Sequence, residues 1–187
     1  MSDFFAHPLA LVETQEIGNG TRVWAWTHVM EGARIGTDCN VGEHCFVERG
    51  ATLGDRVTVK NGVSVWEGTR VGNDVFLGPH CVLTNDLHPR SRNKDWVLSP
   101  VVLQDGCSIG AGATLLGGIT VGRHALVSAG AVVTRDVPDQ ALVVGNPARQ
   151  LGWVCTCGHP LVEEGGRLTC DCGRAYLLAD DALRPAP

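Results

Sequence analysis

A spacing of six residues governs most of this chain. Ile, Leu or Val stands at positions 17, 23, 29, 35, 41, 47, 53, 59, 65, 71, 77 and 83, and the same spacing resumes at 103, 109, 115, 121, 127 and 133. About one residue in four is Ile, Leu or Val, so eighteen filled places out of eighteen is a built period. Each hexad reads as one short strand and one corner, and the period by itself gives a β-solenoid. Gly follows the aliphatic residue at 18, 36, 42, 54, 72, 78, 110 and 122, which suits the unusual backbone of a tight corner.

The fifth place of each hexad is small or β-branched, running from Thr21, Thr27, Ala33, Cys39 and Cys45 to Ala125 and Ala131. Alternation along a strand sends places one and five into a narrow interior, where a large and a small side chain share each layer. Cys39, Cys45, Cys81 and Cys107 therefore read as core fillers between Ala and Val in size, ahead of metal binding or nucleophilic catalysis. His44, His80 and His124 fall at the fourth place, which faces outward as surface or subunit contact. A shared zinc ion is excluded within one chain, because His44 and His80 are two coils apart, roughly 9 to 10 Å at ordinary strand spacing.

With 187 residues there is room for one main domain and a small appendage. The 24 glycines and 44% apolar content fit many turns and short aliphatic strands, with little helix. A net charge of −5 without a basic run argues against nucleic acid as a partner. The first residues lack a basic region followed by an apolar one, and no stretch is long enough to span a membrane, so a cytoplasmic location is expected. In a reducing compartment the eight cysteines need explanations other than disulfides.

The repeat breaks once at length, over residues 84–100, in a polar segment punctuated by proline, with Val97 already back in phase. Such an excursion leaves the stacked core without evident gain in stability, which favours a function. Asn85, Asp86, His88, Arg90 and Arg92 concentrate polar groups there. The segments 22–29 (RVWAWTHV), 59–68 (VKNGVSVWEG) and 75–91 (VFLGPHCVLTNDLHPRS) resemble the hexapeptide-repeat acyltransferases, and within them the nucleotide-sugar N-acetyltransferases. The Thr-Asn-Asp-x-x-Pro-Arg element carries most of that likeness, which spans residues 17–153.

The resemblance implies an all-β, left-handed parallel β-helix with three hexads to each turn. It also implies homotrimers with active sites between neighbouring prisms, and acetyl-CoA as donor to the 3-amino group of a dTDP- or UDP-linked amino sugar for surface glycans. Asn85 is then the residue that positions the amine, with the departing thiolate taking the proton and Asp86 orienting either Asn85 or His88. His88 is the rival, as a general base near neutral pH. Lys60, Asn61, Trp66 and Arg90 fall in the matching segments and are expected to hold the nucleotide-sugar, Trp66 being equally suited to subunit packing.

Gly110-Ala111-Gly112 and Ser128-Ala129-Gly130 lie three hexads apart, one full coil, so their corners should stack, with Gly145-Asn146-Pro147 a further coil on. Gly112, Ser128, Ala129, Gly130, Asn146 and Pro147 are the expected coenzyme A column, the stacked corners offering backbone N–H groups to its amide arm. Arg123, Arg135 and Arg149 are either phosphate partners or ordinary exposed arginines. Past Trp153 a new pattern appears, Cys155-Thr-Cys157-Gly and Cys170-Asp-Cys172-Gly. Four thiols in two turns fit a structural zinc site, and so small a segment could hardly fold on apolar burial alone. Cys-x-Cys is tighter than the usual knuckle, so disulfides, a metal-free remnant, or His159 in place of one cysteine stay open.

The chain thus divides into a lead-in (1–16), a β-helix domain (17–150, with the excursion at 84–100) and a zinc-ribbon-like tail (151–187). The expected activity is N-acetylation. The alternatives are O-acetylation of a sugar or serine with His88 as base, and a non-catalytic trimeric module.

Overall fold

A computed structural model describes residues 3–179 and 182–186; the outermost residues of the lead-in and parts of the tail's end lie outside that range. The described residues form strands and turns with no helix, and none is long and apolar enough to cross a membrane as a helix. Along the repeat every strand is two residues long, the second being the hexad's aliphatic residue, as in Arg22–Val23, His28–Val29 and Arg34–Ile35. Successive strands face three different sides and pair in parallel with the strand three hexads on, as Val23 does with Val41 and Val41 with Val59, except that Ser64–Val65 is not paired with Val82–Leu83. The result is a parallel β-solenoid of triangular section, with one sheet on each of two sides and, on the side that carries the loop, a sheet split in two between Val65 and Val82.

Places one and five fill its interior throughout. Val23, Val41, Val59 and Ile109 are fully buried at place one, and Ala33, Ala51, Val57 and Cys107 at place five. The buried cysteines also bond: the Cys39 thiol donates to the Gly54 carbonyl (3.1 Å) and the Cys45 thiol to that of Lys60 (3.2 Å). Burial pushes all four core thiols up, Cys81 and Cys107 to about 12, so they are poor nucleophiles.

The structure reassigns the glycines. The left-handed corner falls at place four, where Gly20, Gly32 and Gly50 have positive φ alongside Asp38, His44, Arg56 and His80. The glycines at place two have ordinary backbone and answer a different demand, since a Cβ on Gly36 would lie 2.5 Å from the Gly54 carbonyl oxygen of the next coil. Corners stack too closely there for any side chain.

The solenoid is also longer than the six-residue ruler indicates. Phe5–Ala6 pairs with Arg22–Val23, and Leu11–Val12 with His28–Val29, so the lead-in forms the first coil, one residue short of the regular step. At the far end Val127 pairs with Val143, a step short by two, after which Arg149–Trp153 folds back antiparallel on Ala141–Val144 and closes that sheet. The solenoid's own sheet thus runs to Trp153. The tail beyond it is a four-stranded antiparallel sheet with a small core of Cys155, Cys170 and Tyr176.

Across the excursion Leu77 pairs with Ile109 just as Val59 pairs with Leu77, so the loop is inserted between two coils without disturbing the register. Its base is pinned: the Ser99 N–H donates to the Asn85 carbonyl (2.8 Å) and the Gly118 N–H to that of Ser99 (2.9 Å). Val97 does not rejoin the repeat. It is 74% exposed, because the chain re-enters the core at Val101.

Candidate functional site

The loop leaves the solenoid at the corner that follows Leu83, and an open cavity of about 320 Å³ lies at its base. Four residues singled out from the sequence meet there: Trp66, Asn85, Asp86 and Arg90. Glu48, Glu67, Asn93 and Trp96 complete the lining. Stacking of coils explains the grouping, since Glu67 precedes Asn85 by one coil and Glu48 precedes Trp66 by the same step. The Asn85 side-chain amide points along this corner to the Glu67 carbonyl at a long 3.5 Å, and the Glu67 N–H donates to the Glu48 carboxylate (2.8 Å). Trp66 is half-buried and packs edge-on against Phe46, with centroids 5.7 Å apart. Carboxylates and an amide in one cleft suit a cationic amine, while Arg90 supplies positive charge at the rim.

His88 takes another direction. Its backbone N–H donates to the Asp86 carboxylate (2.8 Å), and its exposed side chain lines a neighbouring cavity of about 290 Å³ with Leu87, Trp96 and Val97. Lys60 and Asn61 belong to the corner after Val59, away from this cleft, and the Asn61 side-chain oxygen accepts the Glu43 N–H (3.2 Å) as part of the scaffold. Motifs do not reveal Glu48 and Glu67, which emerge only when a corner is followed from coil to coil. Asn93 and Trp96 lie in the irregular loop, where no period marks them.

Gly110-Ala111-Gly112 and Ser128-Ala129-Gly130 do stack, and the space beside Gly112 and Gly130 is open for 4 Å around an added Cβ. Their amides are less available than stacked corners suggest. The Gly112 N–H donates to Pro79 (3.0 Å) and that of Gly130 to Ala111 (2.9 Å), while Gly110 and Ser128 donate to Val127 and Val143. The column offers a smooth trough more than a row of donors. Asn146 and Pro147 sit in the exposed turn of the closing hairpin, which is fastened by Val132 to Gly145 and Ala148. Arg135 and Arg149 meet across a cavity of about 220 Å³ at that end of the prism. Arg123 instead pairs with Asp139 at 3.7 Å.

In the tail the four thiol sulfurs of Cys155, Cys157, Cys170 and Cys172 lie within 4.8 Å of one another. The pairs Cys155–Cys172 and Cys157–Cys170 are 3.6 and 3.5 Å apart, close to the ~3.8 Å edge of a tetrahedron with metal–sulfur bonds of about 2.3 Å, and far beyond a disulfide's ~2.05 Å. Burial raises the Cys155 thiol, but the Cys157 N–H, the Tyr176 hydroxyl and the neighbouring thiols together bring it down to about 5. Against the Cys172 N–H, burial and the crowding sulfurs push Cys170 up to about 12. Such a set fits a divalent cation that lets all four ionise. His159 stays outside it, contributing a carbonyl to the Cys155 N–H (2.8 Å).

The family model for bacterial transferase hexapeptide (six repeats) matches residues 16–49 and 100–135. The chain is 46% identical, over 94% of its length and 92% of the relative's, to dTDP-3-amino-3,6-dideoxy-alpha-D-galactopyranose 3-N-acetyltransferase of Aneurinibacillus thermoaerophilus. Among solved structures, the acetyltransferase domain of PglB from Neisseria gonorrhoeae, in complex with acetyl coenzyme A, superposes with a TM-score of 0.51 at 25% identity, covering 79% of this chain and 57% of that one. A point mutant of AntD, a Bacillus cereus N-acyltransferase in complex with dTDP and coenzyme A, shares the fold (TM-score 0.52, 14% identity, covering 81% and 83%). With its period, its stacked corners and a near full-length relative in agreement, the chain belongs to the hexapeptide-repeat acetyltransferases.

Proposed function

We propose that this protein transfers the acetyl group of acetyl-CoA to the 3-amino group of a dTDP- or UDP-linked amino sugar destined for surface glycans. The observation that carries the reading is the meeting of Asn85 and Asp86 with Glu48, Glu67, Trp66 and Arg90 in one open cavity at the loop base. The carboxylates draw in the ammonium form of the substrate, and the Asn85 amide orients the neutral amine after it loses its first proton to solvent. The nitrogen then attacks the thioester carbonyl, the C–S bond breaks, and the leaving thiolate takes the second proton as coenzyme A thiol. Placement of the amine is the enzyme's main contribution to that step.

Coenzyme A runs along the trough of Gly112, Ser128, Ala129 and Gly130 towards Asn146 and Pro147, with its phosphates at Arg135 and Arg149. Lys60 and Asn61 act, in this reading, on the nucleotide-sugar of a neighbouring subunit. The coiling is left-handed, the assembly is a cytoplasmic homotrimer, and the tail is a zinc ribbon holding a structural Zn²⁺ on Cys155, Cys157, Cys170 and Cys172. The near-tetrahedral sulfur spacing supports the metal, which cross-links the two turns and takes no part in transfer.

The test is thiol release from acetyl-CoA against a panel of dTDP- and UDP-linked 3-amino sugars, with 4-amino sugars as controls. Turnover confined to 3-amino sugars is expected, and Asn85→Ala should lower kcat/KM by about 10²-fold or more while the assembly stays intact. An inactive His88→Ala beside an active Asn85→Ala would overturn the Asn85 mechanism in favour of a histidine base, whereas silence across the whole panel would point to O-acetylation or a non-catalytic module.

A further inference from the structure

We propose that His80 closes the donor trough at its acyl end, so that this one ring sets how long an acyl chain the protein transfers. The inference rests on the acetyltransferase reading above, in which the phosphates of coenzyme A lie at Arg135 and Arg149 and its thioester reaches past Gly112. The corner that carries the trough continues into the earlier coils. The His80 N–H donates to the Asn61 carbonyl (3.0 Å), that of Gly112 to Pro79 (3.0 Å) and that of Gly130 to Ala111 (2.9 Å). One column therefore runs from Asn61 and Gly62 through His80 to the trough, straight past the loop insertion.

That column is bare on one side of His80 and filled on the other. An added Cβ on Gly112 or Gly130 meets nothing within 4 Å, whereas one on Gly62 would lie 2.3 Å from His80 Nδ1 and 2.5 Å from its Cε1. The imidazole thus lies on Gly62, and beyond it Trp26 and His44 stack with centroids 4.8 Å apart. An extended ligand passing Gly130 and Gly112 meets open corner twice and then a ring. Lys60 and Asn61, assigned above to the nucleotide-sugar, stand one coil beyond, so His80 separates the donor's residues from the acceptor's. The outer surface also turns apolar at this level. Phe76 and Val82, 40% and 47% exposed on the two sides that flank the corner, stand in register with Ser108 and Thr114 of the next coil, and Phe76 with Thr58 of the one before. An acyl group suits that coil, and a chain lengthened by methylenes runs into the imidazole.

The experiment measures kcat/KM for acetyl-, propionyl- and butyryl-CoA with one 3-amino sugar, read as thiol release. The wild type should prefer acetyl to butyryl by about 100-fold or more, the range that one or two methylenes reach in a fitted site. His80→Gly frees one coil spacing, about 4.8 Å, and should cut that preference by about 10-fold or more. Its backbone is already left-handed, with φ of +56°, a conformation that glycine adopts freely. His80→Phe keeps a ring, as Trp26 does at the same φ in this column, and should keep the preference. His124→Gly repeats the change on another corner, where the imidazole lies on Gly106 in the same way, and should keep it too. The ratio is internal to each variant, so a lower folded fraction does not move it. Equal use of acetyl and butyryl by the wild type, an unchanged preference in His80→Gly, or an equal fall in His124→Gly overturns the stop while the acetyltransferase reading stands. A folded His80→Gly that is silent with every donor assigns the ring to the chemistry and overturns the stop as well. Silence of the wild type with all three donors overturns the acetyltransferase reading and the stop with it.

Discussion

Gly32 and Gly36, neighbours along one coil, should respond very differently to the same substitution. Gly36 has ordinary backbone, but a Cβ there would lie 2.5 Å from the Gly54 carbonyl oxygen and 2.6 Å from its carbon, where ordinary contact begins at 3.4 Å. The next coil would have to withdraw by almost an ångström, and Gly54 is itself packed 2.8 Å (as Cβ distance) from Gly72 beyond it. Overpacking costs roughly 1–3 kcal/mol, and a clash with backbone belongs at the upper end. Gly36→Ala should therefore destabilise by about 3 kcal/mol, which for a chain of this size lowers Tm by roughly 6–12 °C. Gly32 has φ of +81°, yet an added Cβ meets only the Arg49 Cβ at 3.8 Å. Its cost is that of a left-handed alanine, about 1 kcal/mol or roughly 2–4 °C, at a place where Asp38 and His44 already adopt that backbone. Thermal unfolding followed by far-ultraviolet circular dichroism, with a urea titration for each variant, measures both. A larger loss in Gly32→Ala than in Gly36→Ala would refute stacking as the reason for the place-two glycines.

Three further outcomes can be checked. Native protein treated with a thiol reagent should leave Cys39, Cys45, Cys81 and Cys107 unlabelled, as buried thiols of raised pKa; rapid labelling of any of them by mass spectrometry would contradict the core assignment. A strong chelator should release zinc and expose the tail to protease while the main solenoid transition and the thiol-release activity persist, and loss of activity in step with the metal would count against a purely structural ion. Asp55 is held below the usual carboxylate range by the Thr37 N–H, Asp74 by the Arg56 guanidinium, and Glu13 by His28. Carboxyls with lowered folded values stabilise above their ordinary pKa, and that contribution is lost as pH falls through the folded value, so acid should weaken the solenoid below about pH 4. Asp55→Asn keeps an acceptor, as Asn73 does for the Asp55 N–H, and should flatten that acid limb; an unchanged limb would sink the argument.

The core was legible because a solenoid repeats one local decision. Places one and five needed only size and alternation, and Val59, Cys81 and Ala131 are buried as those rules require. The ends were not legible, since steps one and two short of a full coil fall off a six-residue ruler, and the lead-in strands Phe5–Ala6 and Leu11–Val12 lose phase by one. Glycine at place two was visible as a pattern, but its cause is contact between coils, which a single hexad does not contain. At the site, Asn85 and Asp86 stood out as a polar break in an apolar rhythm. Glu67 was readable only by stepping back one whole coil, and Trp96 only from the folded loop.

Between Leu77 and Ile109 the chain spends nearly twice the length that it spends between Val59 and Leu77, yet the two pairings are alike, so the excursion is added at a corner and leaves the register of that side unchanged. Its two ends meet at the Ser99 to Asn85 hydrogen bond, so the coil above rests on the coil below whatever the intervening residues are. The solenoid therefore behaves as a keyboard frame into which one key can be recut. Exchanging residues between Asp86 and Leu98 should reshape the cavity at the loop base while leaving the Leu77–Ile109 and Val71–Leu103 pairings of the stack in place.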